Sequence, residues 1–375
     1  MPSPTVPVQN DLVRRTNRLN VYRLLLCSTD LTRAQIARET GLSIPTVTTI
    51  LGEFDRLELI GVSGEAQPRG GRPAQLVHLD ARARSVLSLD LSGRRVRAAL
   101  VDLKGQLRPL PPGPQLGGGT EAALIGWLGE SLAGLAAERR RVAQIAVAVP
   151  GVVDQASGHV HLAPVLGWSD YALSDELGRV SGVDVVLEND VNALALAEKT
   201  RFEPGAFEHV LFVRIGAGIG ASLFVDGTLY RGAGSAAGEI GYSRLPQLGG
   251  ELTLGAPGPL ETYLLGLAKS FSGMDGQVAL DTSQARCAFA QFGDTFGLVL
   301  HNLVCLLNPQ YIVISWPADP EAQLVAQLRA SWDSPLKVEF RPSHPDDSAA
   351  LRGVAQVALE RLTQTLCSSP GTERS

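Results

Sequence analysis

Two hydrophobic periods divide the chain. Through residues 12–62 apolar side chains return at three- and four-residue spacing, which predicts amphipathic helices. The first is expected around Thr16 to Cys27, burying Leu19, Tyr22, Leu25 and Leu26, with residues 1–11 Pro-rich, polar and disordered. The second opens at "TRAQIARETG", where Thr32 and Gln35 have capping-box spacing and Gly41 suits the stop. The third starts at Ser43, a natural N-cap, tolerates Pro45 in its first turn, and turns Val47, Ile50 or Leu51, and Phe54 inward. Its outward side carries Thr46, Thr48 and Thr49.

A helix, a short glycine turn and a second helix make the helix-turn-helix pattern. Threonine offers a hydroxyl and a methyl, both suited to base edges and phosphates. The stretch "LIGVSGEAQPRGGRPAQLVHLD" then reads as strand, polar loop and returning strand, a wing. Arg69 and Arg72, flanked by glycine and proline, fit a narrow minor groove, although such a loop alone would pass for a solvated hairpin tip. The DNA-contacting set is therefore Thr32, Ser43, Thr46, Thr48, Thr49, Arg69 and Arg72.

From residue 84 the pattern becomes mixed α/β. Strands are expected at 86–91, 96–101, 145–149, 184–187, 210–215, 219–225 and 311–315, with helices at 120–138, 190–199, 260–271 and 282–307. The hairpin at 86–107 has an echo at 210–229: each runs strand, glycine turn, strand, then an aspartate in a second turn. Such an echo points to two similar lobes with a cleft between them.

Charge changes this picture little. The net charge is −5, and residues 1–80 hold nine arginines against eight acids, a balance that permits a nucleic-acid partner. No stretch reads as long and apolar enough to span a bilayer, and "MPSPTVPVQNDLVRR" lacks a secretory core, so a cytoplasmic protein is the default. Cys27, Cys287, Cys305 and Cys367 are scattered, which suggests neither a disulfide framework nor a zinc site.

In order along the chain stand "AVAVPGVVDQASGHV", "LGWSDYALSDELG", "VVLENDVNALALAE", "IGAGIGASLFVDGTLYRGAGSAAGEIG" and "GPLETY". Together they resemble the ROK family of repressors, uncharacterised frames and sugar kinases, and the helical start matches its repressor branch. The resemblance covers nearly the whole chain after residue 12. It implies an N-terminal winged helix-turn-helix at 12–80 and a two-lobed actin-like, hexokinase-type (ribonuclease H-like) α/β body, dimeric or tetrameric. The first lobe would span 84–190, completed by a helix near 348–366, and the second 191–347.

The resemblance also assigns a sugar site. It maps the family's catalytic aspartate onto Asp190 and puts Asn189, Glu239 and Glu261 on sugar hydroxyls. From the residues alone, Asp190 would equally cap the helix that follows it, Glu239 would be a solvated loop acid, and Glu261 a first-turn acid favoured by the helix dipole. Val165 stands where the family often has Asn, and Tyr242 where it often has His. Leu252, Leu254 and Pro259 replace the family's zinc cysteines, so no metal is expected, and the segment is expected to be held by apolar packing. His301, on an apolar helix, reads as a core residue.

The phosphate loops are altered. Asp90 and Gly93 persist in "DLSGR", but Ser92 replaces a glycine and Arg94 a threonine. Gly216, Gly218 and Gly220 persist with Ala217 in place of threonine, and Ser315, Trp316 and Pro317 are bulky or rigid where a nucleotide would need room. The leading expectation is a DNA-binding regulator, a repressor of carbohydrate-related genes, with no cofactor. Its partners would be a double-stranded operator and a sugar or sugar phosphate effector. The alternatives are an ATP-dependent sugar kinase with a DNA-binding appendage, and a regulator whose body only dimerises.

Overall fold

The computed structural model describes residues 7–65, 74–246, 248, 252, 253 and 255–368. Arg69, Arg72 and Leu254 fall outside the described residues.

Three helices open the chain: α1 (Pro7–Cys27), α2 (Arg33–Thr40) and α3 (Ile44–Arg56). The first begins nine residues before the expected Thr16 and takes in part of the segment expected to be disordered. Pro7 stands at its start, where proline is tolerated, and no glycine or proline interrupts residues 8–27. Thr32 and Gln35 form the full capping box, Gly41 is left-handed (φ 69°), and Ser43 caps α3. Val47, Ile50, Leu51 and Phe54 are all buried, so the stripe of α3 is wider than the expected choice between Ile50 and Leu51. Strands β1 (Ile60–Glu65) and β2 (Gln75–Leu79) pair antiparallel behind the helices.

The rest is built on one design used twice. Strands β3 (Ser85–Asp90), β4 (Arg97–Asp102) and β5 (Leu107–Pro109) form an antiparallel meander; β6 (Val142–Val149) and β10 (Asp184–Asn189) add parallel on the β3 side. The sheet order is β10-β6-β3-β4-β5. The second sheet repeats it with β11 (Val210–Ile215), β12 (Ile219–Val225) and β13 (Thr228–Tyr230) as the meander, and with β14 (Tyr311–Ser315) and β15 (Glu339–Ser343) parallel. Its order, read from the other end, is β15-β14-β11-β12-β13. The hairpin echo in the sequence is thus the start of a whole-sheet repeat. A small antiparallel set, β7 (Val152–Asp154), β8 (His159–Ala163) and β9 (Trp168–Tyr171), packs Val153, Val160, Ala163 and Trp168 into the core of the first sheet.

Helices α4 (Glu121–Gly134) and α5 (Leu173–Ser181) cover the first sheet; α7 (Pro259–Ala268), α8 (Ser283–Leu307) and α9 (Gln323–Ser331) cover the second. The equivalent helices that follow β10 and β15, α6 (Asp190–Lys199) and α10 (Ala349–Cys367), pack on each other. Their seam is made of small residues. A β-carbon on Gly353 would lie 1.7 Å from the Ala193 carbonyl oxygen, so the two backbones are in direct contact.

Helix α8 corrects one expectation. By length and composition it is apolar enough to cross a bilayer. One face carries Phe289, Phe292, Phe296, Val299, Leu300 and Val304 into the core of the second sheet, while Leu298 and Leu306 stay exposed. The last turns of α10 reach from the body into the N-terminal unit. Leu362 and Cys367 join Val21, Tyr22, Leu25, Val47 and Phe54 in the core of the N-terminal unit. Burial there pushes the Tyr22 hydroxyl up to about 12 and the Cys367 thiol up to about 11.

Candidate functional site

The carboxyl ends of β3, β10, β11 and β14 converge where the two sheets meet, with Asp90 and Arg214 both acting on Asp190 and Arg214 bonded to Ser315; this cleft is the position where open α/β sheets take ligands. At the end of β10 a buried hub organises the backbone. Glu188, 1% exposed, accepts from the Asn189 backbone N–H (3.1 Å) and Asn192 Nδ2 (2.9 Å) on one oxygen. Its other oxygen accepts from Gln155 Nε2 (2.8 Å) and from Arg231 Nε and Nη2 (3.0 and 2.6 Å). Arg231 follows β13, so this ion pair ties the second sheet to the first.

Asn189, not Asp190, caps α6. Its side-chain oxygen accepts from the N–H groups of Val191 (2.9 Å) and Asn192 (3.0 Å), and its amide donates to the Gly151 carbonyl (2.9 Å). Asp190 is therefore released from the capping role that its position in the sequence allowed. Burial, then the neighbouring Asp90, pushes its carboxyl up to about 7, against smaller opposing pulls from the Val191 backbone N–H and then Arg214. Arg214 is itself lowered by burial and donates to Ser315 Oγ at 2.8 Å.

This shift sets a pH dependence. The folded protein holds a proton on Asp190 that the unfolded chain, with its ordinary value of 3.8, has released. Stability attributable to Asp190 is unaffected below the ordinary value, falls as pH rises between the two values, and stays reduced above about 7. Asp190→Asn removes the loss. It should stabilise the protein by about 1–2 kcal/mol above neutrality, a discounted figure because water still reaches part of the residue, and by little near pH 4. Thermal melts of both proteins across that range test it; parallel curves would mean an ordinary carboxyl.

Asp90 is fully buried and already occupied. It accepts from the Ser92 N–H (2.8 Å) and Ser92 Oγ (2.7 Å), and it pairs with the Arg97 guanidinium. Ser92, noted in the sequence only as a lost glycine, thus turns the loop onto its own aspartate. Arg97, which sequence reasoning missed, brings the positive charge. Arg94 is exposed, and Arg95 donates to the Gly113 carbonyl at 3.0 Å. Gly93 has only ordinary contacts around it, the nearest at 3.6 Å from a built β-carbon.

Across the cleft, Glu239 and Glu261 meet. Burial raises both carboxyls, and Glu261 raises Glu239 further, even though Glu239 keeps much of its surface in solvent. Glu261 accepts from the Ile219 N–H at 3.2 Å. Its carboxylate lies 3.2 Å from where a Gly218 β-carbon would sit, so the turn packs closely on Glu261. Gly216 closes the turn with its N–H on the Gly218 carbonyl (2.8 Å). The strand ends therefore bring Asp190 beside Asp90 and Asn189, while Gly218, Glu239 and Glu261 form a second cluster.

Three expectations change here. Trp316 does not obstruct a nucleotide: it is 6% exposed and stacks on Phe292 (5.0 Å, 14° between planes) inside the second core. The apolar packing expected of the segment replacing the zinc motif holds only in part: Pro259 is buried, but Leu252 is half exposed and the Gly255 N–H donates to the Tyr242 hydroxyl (3.1 Å). His301 is only half buried, against Trp332 (5.6 Å). Val165 stands exposed in a short helical turn. No group of His, Cys, Asp and Glu suited to a metal occurs among the described residues.

In the N-terminal unit, Ser43, Thr48 and Thr49 are exposed along α3, beside Ile44 (53% exposed). Thr48 and Thr49 donate to the carbonyls of Ile44 (2.9 Å) and Pro45 (3.1 Å), which leaves their methyls and acceptor lone pairs outward. Thr46 is half buried and bonded to Ser43 Oγ (2.8 Å between hydroxyls); Thr32 is half buried in its capping box.

Comparison with known proteins adds the following. The model of the ROK family matches residues 86–361. The "Putative xylose repressor" of Caldicellulosiruptor sp. (strain Rt8B.4) is 28% identical over 333 residues, covering 81% of this chain and 83% of that protein. The "DNA-binding transcriptional dual regulator NagC" of Escherichia coli (strain K12) is 28% identical over 333 residues, covering 81% of each. Among solved structures, a ROK family transcriptional regulator, a homolog of the E. coli MLC protein, superposes with a TM-score of 0.75 at 22% identity, over 95% of this chain and 98% of that one. A ROK family glucokinase from Streptomyces griseus, in complex with glucose and AMPPNP, gives 0.55 at 19% identity, over 73% of this chain and 98% of that one.

Proposed function

The chain belongs to the ROK family, and from that premise we propose that it is a DNA-binding transcriptional repressor of sugar genes. The observation that carries this reading is the difference in coverage. The solved regulator matches 95% of the chain and the solved glucokinase 73%, and the N-terminal unit of three helices and a hairpin is what a kinase has no need of.

On this reading the N-terminal unit is a winged helix-turn-helix. Helix α3 enters the major groove and presents Ser43, Thr48 and Thr49, with Thr46 and Thr32 supporting the two helix starts. Arg69 and Arg72 reach the minor groove or the backbone. The body binds a sugar or sugar phosphate through Asp190, Glu239 and Glu261, with Asn189 positioning the loop, and it pairs as a homodimer or homotetramer. Ligand closing the cleft shifts the spacing of two heads only in so far as it binds one lobe arrangement better. Arg72→Ala is expected to weaken binding to the DNA upstream of the protein's own gene and to flatten its salt dependence by about one unit of slope. Fluorescence anisotropy over a salt series checks this; an unchanged slope sinks the role of Arg72.

The kinase reading rests on one observation, Asp190 with its carboxyl raised to about 7, where a general base would be poised. Against it stands Asp90, whose oxygens are taken by Ser92 and Arg97. A coupled ATP assay over a hexose panel discriminates the two. Turnover that disappears in Asp190→Ala would make the protein an enzyme.

A further inference from the structure

A groove of about 780 Å³ lies away from the cleft, where the N-terminal unit, the first sheet and α10 meet. Its size is that of a small-molecule site. Arg15 of α1 stands on one side and Arg361 of α10 on another; the edge strand β10 and the turn after β7 form the rest.

Two of its wall residues carry buried polar atoms without a hydrogen-bond partner among the described residues. Gln144, 5% exposed on β6, has its side-chain oxygen without a hydrogen-bond partner, and so has the Ser174 hydroxyl at the start of α5. Such atoms are costly in a folded interior, and each calls for a partner. The acceptor of Gln144 calls for a donor, which a ligand hydroxyl supplies. Ser157 and Thr365 add further hydroxyls to the same wall.

The guanidinium groups call for the opposite partner. Arg361 makes only long contacts, to the Gln155 carbonyl and side-chain oxygens at 3.5 and 3.4 Å. Arg15 is exposed and has no ion pair among the described residues. Arg179 on the rim is spent on Glu176, and Asp175 and Asp184 line the same groove, so the cationic pole lies on the Arg15 and Arg361 side. Arginine pairs of this kind take phosphate or carboxylate in a fork geometry.

We propose that this groove binds a polyhydroxylated anion, a sugar phosphate or a sugar acid, with the anionic group on Arg15 and Arg361 and the hydroxyls on Gln144 and Ser174. A DNA backbone fits less well, because its phosphates offer no donor to the Gln144 oxygen. Occupancy would join α1 to α10. It would also reach the cleft, since Gln155 contacts both Arg361 and Glu188.

Calorimetric titration of the full chain with glucose 6-phosphate, glucuronate, glucose and inorganic phosphate tests this. One of the two sugar anions should bind saturably, and Arg15→Gln and Arg361→Gln should each weaken it at least about tenfold. Glu239→Ala removes binding in the cleft, and the binding that Arg15→Gln and Arg361→Gln weaken should persist in it. Which of the two binds separates phosphate from carboxylate. Arg15 is exposed on a helix, so its variant keeps the fold, as circular dichroism will verify. The proposal fails if neither anion binds, if inorganic phosphate binds as tightly as the sugar anion, or if Glu239→Ala abolishes binding while Arg15→Gln does not. Those failures leave the repressor reading untouched, which the operator titration decides separately.

Discussion

Gly353→Ala is expected to destabilise the protein by about 3 kcal/mol, toward the upper range of overpacking substitutions, and to lower its thermal midpoint by roughly 4 °C. The cause is the α6–α10 seam. The added carbon would lie 1.7 Å from the Ala193 carbonyl oxygen and 2.6 Å from its carbon, and both are backbone atoms with no rotamer to escape into. The helices must separate, and buried Val354, Ala350 and Val186 lose contact with them. Gly266→Ala is the control. It sits inside α7 with no atom within 4 Å of its built β-carbon, so helix propensity alone acts and should add up to about 1 kcal/mol. Calorimetric melts of the two variants should move in opposite directions. Equal shifts would mean that the seam is looser than its distances say.

The second large effect belongs to Glu188. Glu188→Leu keeps the volume but strands Arg231, Asn192 and Gln155, all of which donate to its carboxylate. Breaking a buried pair from one side costs about 3–5 kcal/mol, because the remaining charge has lost its partner in the interior. The double variant Glu188→Leu with Arg231→Leu should recover much of that loss, since two apolar groups leave no stranded charge. A double-mutant cycle by urea denaturation measures the coupling. Additive losses would show that the ion pair between the sheets carries none of it.

Legibility followed locality. The capping box of Thr32 and Gln35, the Ser43 cap and the stripe of α3 are relations within one helix turn, so the sequence displays them. The two hairpins were visible for the same reason. The small sheet of β7, β8 and β9 was missed: its strands are three to five residues long, too short for alternation to stand out. The cleft was half legible. Asp190, Glu239 and Glu261 sit in motifs, but the residues that set their state do not. Arg97 reaches Asp90 across a turn, Arg214 reaches Ser315 across 101 positions, and Arg231 reaches Glu188 across 43. Nothing in the neighbourhood of an arginine announces which distant carboxylate it will meet. Trp316 shows the reverse error: a side chain judged by its bulk in the loop was turned into the core.

The end of α10 has a consequence for how the protein is made. Leu362 and Cys367 complete the core around Tyr22 and Phe54, yet they leave the ribosome some three hundred residues after those rings. Domains usually close in order of synthesis, the first part first. Here the first part made is the last finished. A nascent chain that stalls or is cut short has its three leading helices but lacks the side chains that seal them. A sealed core around Tyr22 and Phe54 therefore requires synthesis to have passed Cys367.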